Sequence, residues 1–259
     1  MRAKLRRQTV WATQRSALIA IAAAAVIFGA GCGTSSIAHP NASTAVSATA
    51  TTSLATQVDS VCTDLGGTVG PDRSCHVGSA TSTYKIEMTF PLDYPDPQQV
   101  TAFLGHGRDG FIDWVARFGP REGRGRPYQY VVTAKTYRSG TPESGTQSLV
   151  LEVDNDTGLA NEGHPNTTFQ TFNFDLAKQS PITFDTLFKP GAKPLEVLNP
   201  IVRRELDAPS ADLDKKTYQT FAITDDAVIF FFGQNQVVQD NGGPHRVTVP
   251  RTELAALLP

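Results

Sequence analysis

Hydrophobic and polar residues alternate in several short stretches of the chain, and this alternation predicts strands. Residues 84–90 (YKIEMTF) place Tyr84, Ile86, Met88 and Phe90 against polar neighbours, a pattern typical of a strand buried on one face. Further strands are predicted at residues 128–137, 147–153, 168–176, 219–224, 227–232 and 246–249. The unbroken run VIFFF at residues 228–232 indicates a strand that is buried on both faces.

Apolar residues at three- and four-residue spacing predict one long helix after the first strand. Asp96, Pro97 and Gln99 form a helix start of the capping-box kind, and Gly119-Pro120 ends the helix. The apolar stripe between them consists of Val100, Phe103, Leu104, Phe111, Ile112, Val115 and Phe118. The helix also contains Gly105, Gly107 and Gly110. Because glycine weakens a helix, we interpret these three as sites of close packing on a sheet.

The remaining periodic segments predict shorter helices. A second helix is expected at residues 195–206, where Asn199-Pro200 is either a kink or a new helix start. Residues 252–258 predict a terminal helix, and residues 183–188 a short element. Long helices among antiparallel strands indicate the α+β class. We therefore predict antiparallel sheets packed against one long and one or two shorter helices, in a single body of two halves.

The first 32 residues predict a lipoprotein signal peptide (residues 1–32). Five basic residues precede an apolar run of 14 residues, which spans only about 21 Å as a helix and is too short to cross the ~30 Å hydrocarbon core. The run ends in Gly29-Ala30-Gly31-Cys32, which resembles the bacterial lipobox, with Gly29 where leucine is usual. We expect a lipid anchor on Cys32. The alternative is ordinary secretion with cleavage near the same place.

A tether and a folded domain follow. Residues 33–60 contain twelve Ser or Thr in 28 residues and no aromatic residue, so they predict a disordered Ser/Thr/Ala-rich tether. Residues 61–259 are predicted to fold. The whole chain has a net charge of −2, and without the five basic residues of the signal the rest has 18 Lys and Arg against 25 Asp and Glu, or −7. An acidic mature protein argues against nucleic-acid binding.

The three cysteines fit an exported protein. Apart from Cys32, Cys62 and Cys75 are thirteen residues apart and predict a disulfide, which closes a loop and adds about 3 kcal/mol of stability. A zinc site is not expected, because no second Cys or His pair stands at ligand spacing. We predict no metal and no cofactor.

The sequence contains no motif that identifies a catalytic site. It has no Gly-x-Ser-x-Gly nucleophile elbow, and we predict no catalytic residue. His164 with Ser144 or Ser148 and Asp175 is the one combination of nucleophile, base and acid worth testing, although His164 before Pro165 is better explained as a turn residue. The other histidines are predicted to lie in the tether (His39), beside the disulfide loop (His76), on an exposed helix face (His106) and in a loop (His245).

Two pairs of acidic residues are candidate calcium ligands. They are Asp154 with Asp156, and Asp225 with Asp226. Their positions in predicted turns account for both pairs, so no calcium site is predicted.

Five segments in one order resemble a known family. They are LDYPDPQQVTAFLGHGRDGFIDWV, GTQSLVLEV, GHPNTTFQTFNFDLAKQSPITFDTLF, FAITDDAVIFFF and GPHRVTVPRTEL. They are similar to the mycobacterial MPT/MPB-type secreted immunogenic proteins and, more distantly, to the extracellular domain of the RsiV-type anti-sigma factor, which binds lysozyme. The resemblance covers nearly all of the chain from Cys62 onward. It implies an α+β body in which a half with a strand, the long helix and a hairpin packs on a C-terminal half.

The resemblance also implies a function class, with two departures. Members are secreted or surface proteins, and some have esterase activity. This chain ends its signal in Cys32, and it has residues 233–236 (GQNQ) where relatives often have Asn-Pro-Tyr-Glu, which argues against lysozyme binding. We therefore predict a lipid-anchored protein on the extracytoplasmic face of the cell membrane or at the cell surface. It binds a protein or a glycan of the envelope without catalysis, and the alternative is a weak cell-wall esterase, a carboxylic ester hydrolase.

Overall fold

A computed structural model describes residues 60–120, 126–157, 165–238 and 243–259, which all belong to one unit of the chain. The predicted signal peptide with Cys32, and the predicted tether up to residue 59, lie outside the described residues. Ser60 begins a helical turn at residues 60–64. Of the helices in these described parts, none has the length and apolar character that a membrane span requires.

The described residues form two β-sheets. The seven-stranded sheet, called the large sheet, contains in spatial order β1 (Thr68–Val69), β2 (Ser74–Ala80), β3 (Tyr84–Pro91), β4 (Tyr128–Ser139), β5 (Thr146–Asp156), β6 (Asn166–Asp175) and β7 (Ser180–Pro181). The three-stranded sheet, called the small sheet, has β9 (Ala227–Phe232) between β8 (Phe221–Ile223) and β10 (His245–Pro250). The helices are α1 (Pro97–Phe118), α2 (Phe184–Leu187), α3 (Pro194–Glu205), α4 (Arg251–Leu254) and a 3₁₀ turn at Lys215–Tyr218.

The predicted α+β fold class is confirmed, and one strand pair is parallel. All neighbouring strands are antiparallel except β3 and β4. The chain leaves β3 through α1 and returns in the same direction along β4, as a helical crossover requires. Strands β1 and β2 were not predicted. In β2 the buried residues Cys75 and Val77 alternate with exposed neighbours, but the surrounding glycine and short polar residues mask this alternation.

Helix α1 covers one face of the large sheet, and the core of this half lies between them. Leu104 and Phe111 are almost fully buried there against strand residues such as Ile86, Met88 and Leu151. The predicted capping box is wrong in detail, because the Asp96 side chain makes no bond to the backbone and instead accepts a hydrogen bond from Nε2 of Gln99 at 2.8 Å.

Two features of the predicted α1 stripe need correction. Phe118 is 58% exposed, and its ring centroid lies 4.7 Å from that of Trp114. Close packing explains only Gly107, where a Cβ atom would collide with the buried Tyr130 hydroxyl, whereas a Cβ at Gly110 would enter open space.

The small sheet and the short helices form the second core. Phe221, Phe230 and Phe232 are nearly inaccessible and pack with residues of α2, α3 and α4. Helix α3 runs through Pro200 without a new start, so the predicted alternative of a fresh N-cap at Asn199 is wrong.

Polar side chains of the large sheet hold the small sheet through its edge strand β8. The backbone N–H groups of Phe221 and Ile223 donate to Thr171 Oγ1 at 3.1 Å and to Ser148 Oγ at 3.0 Å. Nδ2 of Asn173 donates to the Phe221 carbonyl oxygen at 2.9 Å. These bonds satisfy edge groups that β9 does not reach, and they fix where the two sheets meet.

Cys62 and Cys75 form the disulfide that the sequence predicts. Both are fully buried, and Gly67 lies so close that an added Cβ would come within 2.7 Å of Cys75 Sγ and 2.9 Å of Cys62 Sγ. The disulfide therefore fastens the start of the domain to β2, at the margin of the α1 core.

Candidate functional site: the aromatic cleft between the sheets

An open recess of about 470 Å³ lies where the large sheet meets edge strand β10 of the small sheet. We call it the aromatic cleft. Its walls combine aromatic rings with charged side chains. The residues used below are Lys135, Tyr137, Glu152, Phe169, Phe231, His245 and Arg246.

Strand alternation brings these side chains to one face. In β5, Leu149 and Leu151 point to the α1 core, so Val150 and Glu152 point to the small sheet. Glu152 is opposite Thr133 of β4 and Phe169 of β6. The small sheet supplies Phe231 from the face of β9 opposite the second core. The periodicity of the sequence indicates which residues share a face, but the meeting of the two sheets is a tertiary feature that periodicity does not contain.

Three rings form the apolar part of the cleft. Phe231 is 4% exposed, and its ring centroid lies 5.3 Å from that of Phe169 and 6.1 Å from that of Tyr137. Nζ of Lys135 lies 4.9 Å from the centre of the Tyr137 ring, at cation–π distance. The rings therefore present a fixed apolar surface next to a positive charge.

The charged groups of the cleft are not neutralised in close pairs. Burial raises the pKa of Glu152, the nearby Asp154 carboxylate raises it further, and Arg246 opposes the shift. Within the described ranges, no ion pair of 4.0 Å or less involves Lys135, Glu152 or Arg246. Two cations and one carboxylate are thus available to a bound molecule.

His245 adds a polar atom that lacks a partner. It is the first residue of β10, although the sequence placed it in a loop. Its Nε2 atom is buried and has no hydrogen-bond partner within the part of the chain that the structure describes. Buried polar atoms are nearly always paired with protein, water or ligand. His245 is a functional candidate that sequence reasoning missed, since the predicted strand began one residue later, at Arg246, and the GGP flank favoured a loop.

Of the Ser–His–Asp combination, the structure describes Ser144, Ser148 and Asp175, and each of these side chains has a partner within the protein. The Ser148 hydroxyl is inaccessible to solvent and bonded to the Ile223 amide. Ser144 lies in the exposed turn between β4 and β5, with its Oγ 3.0 Å from Thr141 Oγ1. Asp175 pairs with Lys178 at 2.9 Å. Burial alone would raise the pKa of Asp175, but hydrogen bonds from Lys178 lower it overall. His164 lies outside the described residues.

Three of the four side chains in the two acidic pairs have protein partners. Asp156, whose side chain is 7% exposed, pairs with Arg126 at 3.1 Å, and Asp154 accepts a hydrogen bond from Thr167. Both lie at the end of β5 rather than in a turn. Asp225 lies in the turn between β8 and β9, and its Oδ1 atom accepts a hydrogen bond from the Gly140 amide at 2.7 Å. In the described segments, no group of three or more His, Cys, Asp or Glu could hold a metal ion.

Comparison with known proteins gives a partial family match and several extended ones. The family model described as "Protein of unknown function (DUF3298)" matches residues 185–252. Over 205 residues the chain is 43% identical to the protein named Esterase Rv3036c of Mycobacterium tuberculosis. The alignment covers 76% of this chain and 88% of the relative. It is 36% identical over 206 residues to Immunogenic protein MPB64 of Mycobacterium bovis and to Immunogenic protein MPT64 of Mycobacterium tuberculosis. Each of these two alignments covers 76% of this chain and 87% of the relative.

A crystal structure of a DUF3298 family protein from Pseudomonas aeruginosa PAO1 is also similar. The TM-score is 0.46 at 12% sequence identity, covering 74% of this chain and 96% of that chain.

Proposed function

Because the chain belongs to the family of the immunogenic proteins MPT64 and MPB64 and the esterase Rv3036c, we propose that it is an exported, lipid-anchored protein of the cell envelope. Its folded domain binds an envelope glycan in the aromatic cleft, without catalysis. The observation that carries this proposal is the set of three rings beside unneutralised charges in one recess. Export is supported by the basic and apolar N-terminus and by the buried disulfide.

The chemistry of the cleft favours a sugar. A sugar ring has apolar C–H faces that pack on aromatic rings and hydroxyls that hydrogen-bond to charged side chains. Lys135 and Arg246 donate, the Glu152 carboxyl oxygens accept, and His245 Nε2 supplies a further polar contact. The recess of about 470 Å³ is in the size range of small-ligand pockets, ~300–1,000 Å³. Protein interfaces need a much wider contact, ~800 Å² on each partner, so a glycan fits better than a protein.

Co-sedimentation with insoluble mycobacterial cell wall tests glycan binding. We expect the purified protein to sediment with the wall and the double variant Lys135→Ala/Glu152→Gln to bind at least tenfold more weakly. The control is Lys85→Ala, on the same face of the large sheet but outside the cleft, where Lys85 pairs with Glu87 at 2.8 Å. Equal binding of wild type and double variant contradicts the assignment of the cleft, and an equal loss in the control indicates general charge attraction.

Anchoring depends on a different residue and has its own test. If Cys32 carries a lipid, Cys32→Ala moves the protein from the membrane fraction to the medium, and mass analysis of the mature N-terminus detects a diacylglycerol-modified Cys32. Membrane retention of the Cys32→Ala variant contradicts lipid anchoring and leaves the cleft proposal unaffected.

We propose ester hydrolysis as the alternative function, because a relative at 43% identity is named an esterase. Turnover of short-chain nitrophenyl esters by the purified protein tests it, with Ser144→Ala and His164→Ala as the informative variants. Ser144 is exposed, so its replacement leaves the core intact. Ser148→Ala removes a buried hydrogen bond between the sheets, so a loss of activity in that variant could result from a loss of folding. Absence of turnover in the wild-type protein excludes the alternative, and activity that survives both substitutions excludes this choice of residues.

A further inference from the structure

A second recess lies on the opposite face of the small sheet from the aromatic cleft. It has a volume of about 460 Å³ and lies between β8 and β9, the segment around β7 and α2, and the residues from α4 to the last described one. Its apolar lining includes Ile182, Leu187, Ile223, Val228 and Leu258. We call it the Arg251 cavity.

Residues of the second core form part of the lining of the Arg251 cavity. Leu187, Ile223, Val228 and Leu258 all belong to the second core and are 0–8% exposed. The described residues that line the cavity include no aromatic side chain. An aliphatic recess of this kind is suited to an alkyl chain, because burial of each CH₂ group is favourable, and it offers no ring on which a sugar or nucleobase could stack.

Arg251 places one unneutralised cation in this apolar recess. Its Nη1 atom donates to Ser139 Oγ and to the Thr224 carbonyl oxygen, both at 3.3 Å, and the structure records no acceptor among described residues for Nε and Nη2. No carboxylate of a described residue lies within 4.0 Å of it. The other charged side chains in the lining, Lys178 and Asp175, pair with each other at 2.9 Å.

Thr146 adds a second unsatisfied group to the same cavity. Its Oγ1 atom is buried and has no hydrogen-bond partner among the described residues, and the residue lines the cavity with Arg251. A guanidinium with free N–H groups and a hydroxyl donor together can hold the two oxygens of one carboxylate.

We propose that the Arg251 cavity binds a single-chain fatty acid, with the alkyl chain against the second core and the carboxylate at Arg251 and Thr146. At about 30 Å³ per carbon-sized group, the volume that a water molecule occupies in the liquid, a cavity of about 460 Å³ accommodates about 15 such groups. Dodecanoate, with its twelve carbons and two oxygens, therefore matches the space. This site is separate from the aromatic cleft and does not depend on the glycan proposal.

Calorimetric titration of the purified full-length protein with dodecanoate, below its micelle concentration, tests the site. We expect one molecule to bind per chain. Dodecyltrimethylammonium, with the same chain and a cationic head, is expected to bind at least tenfold more weakly, and dodecyl phosphate no more tightly than dodecanoate. Absence of dodecanoate binding, or equal binding of the cationic amphiphile, overturns the proposal. Tenfold tighter binding of dodecyl phosphate overturns the assignment to a carboxylate.

Variants locate the binding within the protein. Arg251→Met is expected to weaken dodecanoate binding at least tenfold, with partial recovery in Arg251→Lys. Ile182→Trp, which fills the cavity from a half-buried position, is expected to weaken it equally and keeps the test valid should Arg251→Met not fold. Arg138→Met, at an exposed arginine paired with Asp93 at 2.9 Å, is the matched control. Unchanged affinity in both Arg251→Met and Ile182→Trp places binding elsewhere and overturns the proposal.

Discussion

Replacement of Ser148 by alanine is the sharpest test of how the two sheets are joined. The Ser148 hydroxyl is 0% exposed and accepts the hydrogen bond of the Ile223 amide at 3.0 Å. Ile223 is itself only 4% exposed and lies in edge strand β8, whose neighbour on one side is β9. In Ser148→Ala the amide keeps its burial and loses its acceptor.

The cost follows from that geometry. A buried donor left without an acceptor costs about 1–3 kcal/mol, and the small volume of the missing oxygen adds little. For a domain of this size, such a loss lowers the melting temperature by roughly 2–12 °C. Ser144→Ala is the matched control, because Ser144 is exposed in a turn and an exposed substitution stays within about 0.5 kcal/mol of wild type.

Urea unfolding followed by circular dichroism measures the difference in free energy of unfolding between the two variants. The expected result is a lower unfolding midpoint for Ser148→Ala and an unchanged one for Ser144→Ala. A change below about 0.5 kcal/mol for Ser148→Ala, the range of surface substitutions, would refute the inter-sheet role of this hydroxyl. Loss of ester hydrolysis in a Ser148→Ala protein of unchanged stability would instead indicate that Ser148 takes part in hydrolysis.

Three further predictions concern stability. Gly110→Ala in α1 should raise the free energy of unfolding by about 0.5–1 kcal/mol. Gly107→Ala should lower it by ~1–3 kcal/mol, because the added methyl group meets a buried tyrosine hydroxyl. Equal melting temperatures of the two variants would contradict the packing described for α1. Glu152→Gln should raise stability at pH 7 by roughly 0.5 kcal/mol. The folded state holds the Glu152 proton more tightly than the unfolded state, because the pKa of Glu152 is raised in the folded protein. The stability of the wild type therefore falls as the pH rises above 4.5, the ordinary pKa of a glutamate. Urea midpoints measured from pH 4 to 8 should fall less in the variant. Removal of the disulfide by Cys62→Ser/Cys75→Ser should cost about 3 kcal/mol, measured by the same unfolding, and a loss below 1 kcal/mol would count against its structural role.

Local patterns in the sequence were sufficient for most elements of the fold. The aromatic alternation of β3 and the run in β9 lie where they were predicted, since each strand has a face or faces buried in a core. The resemblance to the immunogenic family, drawn from ordered motifs, is confirmed. Strand β2 was missed because Cys75 and Val77 are its only buried apolar residues, too few for alternation to be visible.

The aromatic cleft could not be predicted in the same way. Tyr137 and Phe231 are 94 positions apart in the sequence, and their contact depends on how the small sheet lies across the large one. That placement rests on hydroxyl and amide side chains, such as Ser148 and Thr171, which bond to the edge of β8. In the sequence these residues look like ordinary polar positions, and Ser148 looked like a candidate nucleophile.

We propose above that the aromatic cleft binds a glycan of the envelope. The most direct test is to titrate isotope-labelled protein with soluble fragments released from mycobacterial cell wall and to record backbone amide shifts by NMR. If the glycan binds in the aromatic cleft, the largest shifts fall at Lys135, Tyr137, Glu152, His245 and Arg246. Saturating fragments that leave these amides unmoved, or that shift only residues 85–89 on the uncovered part of the same sheet, would contradict it.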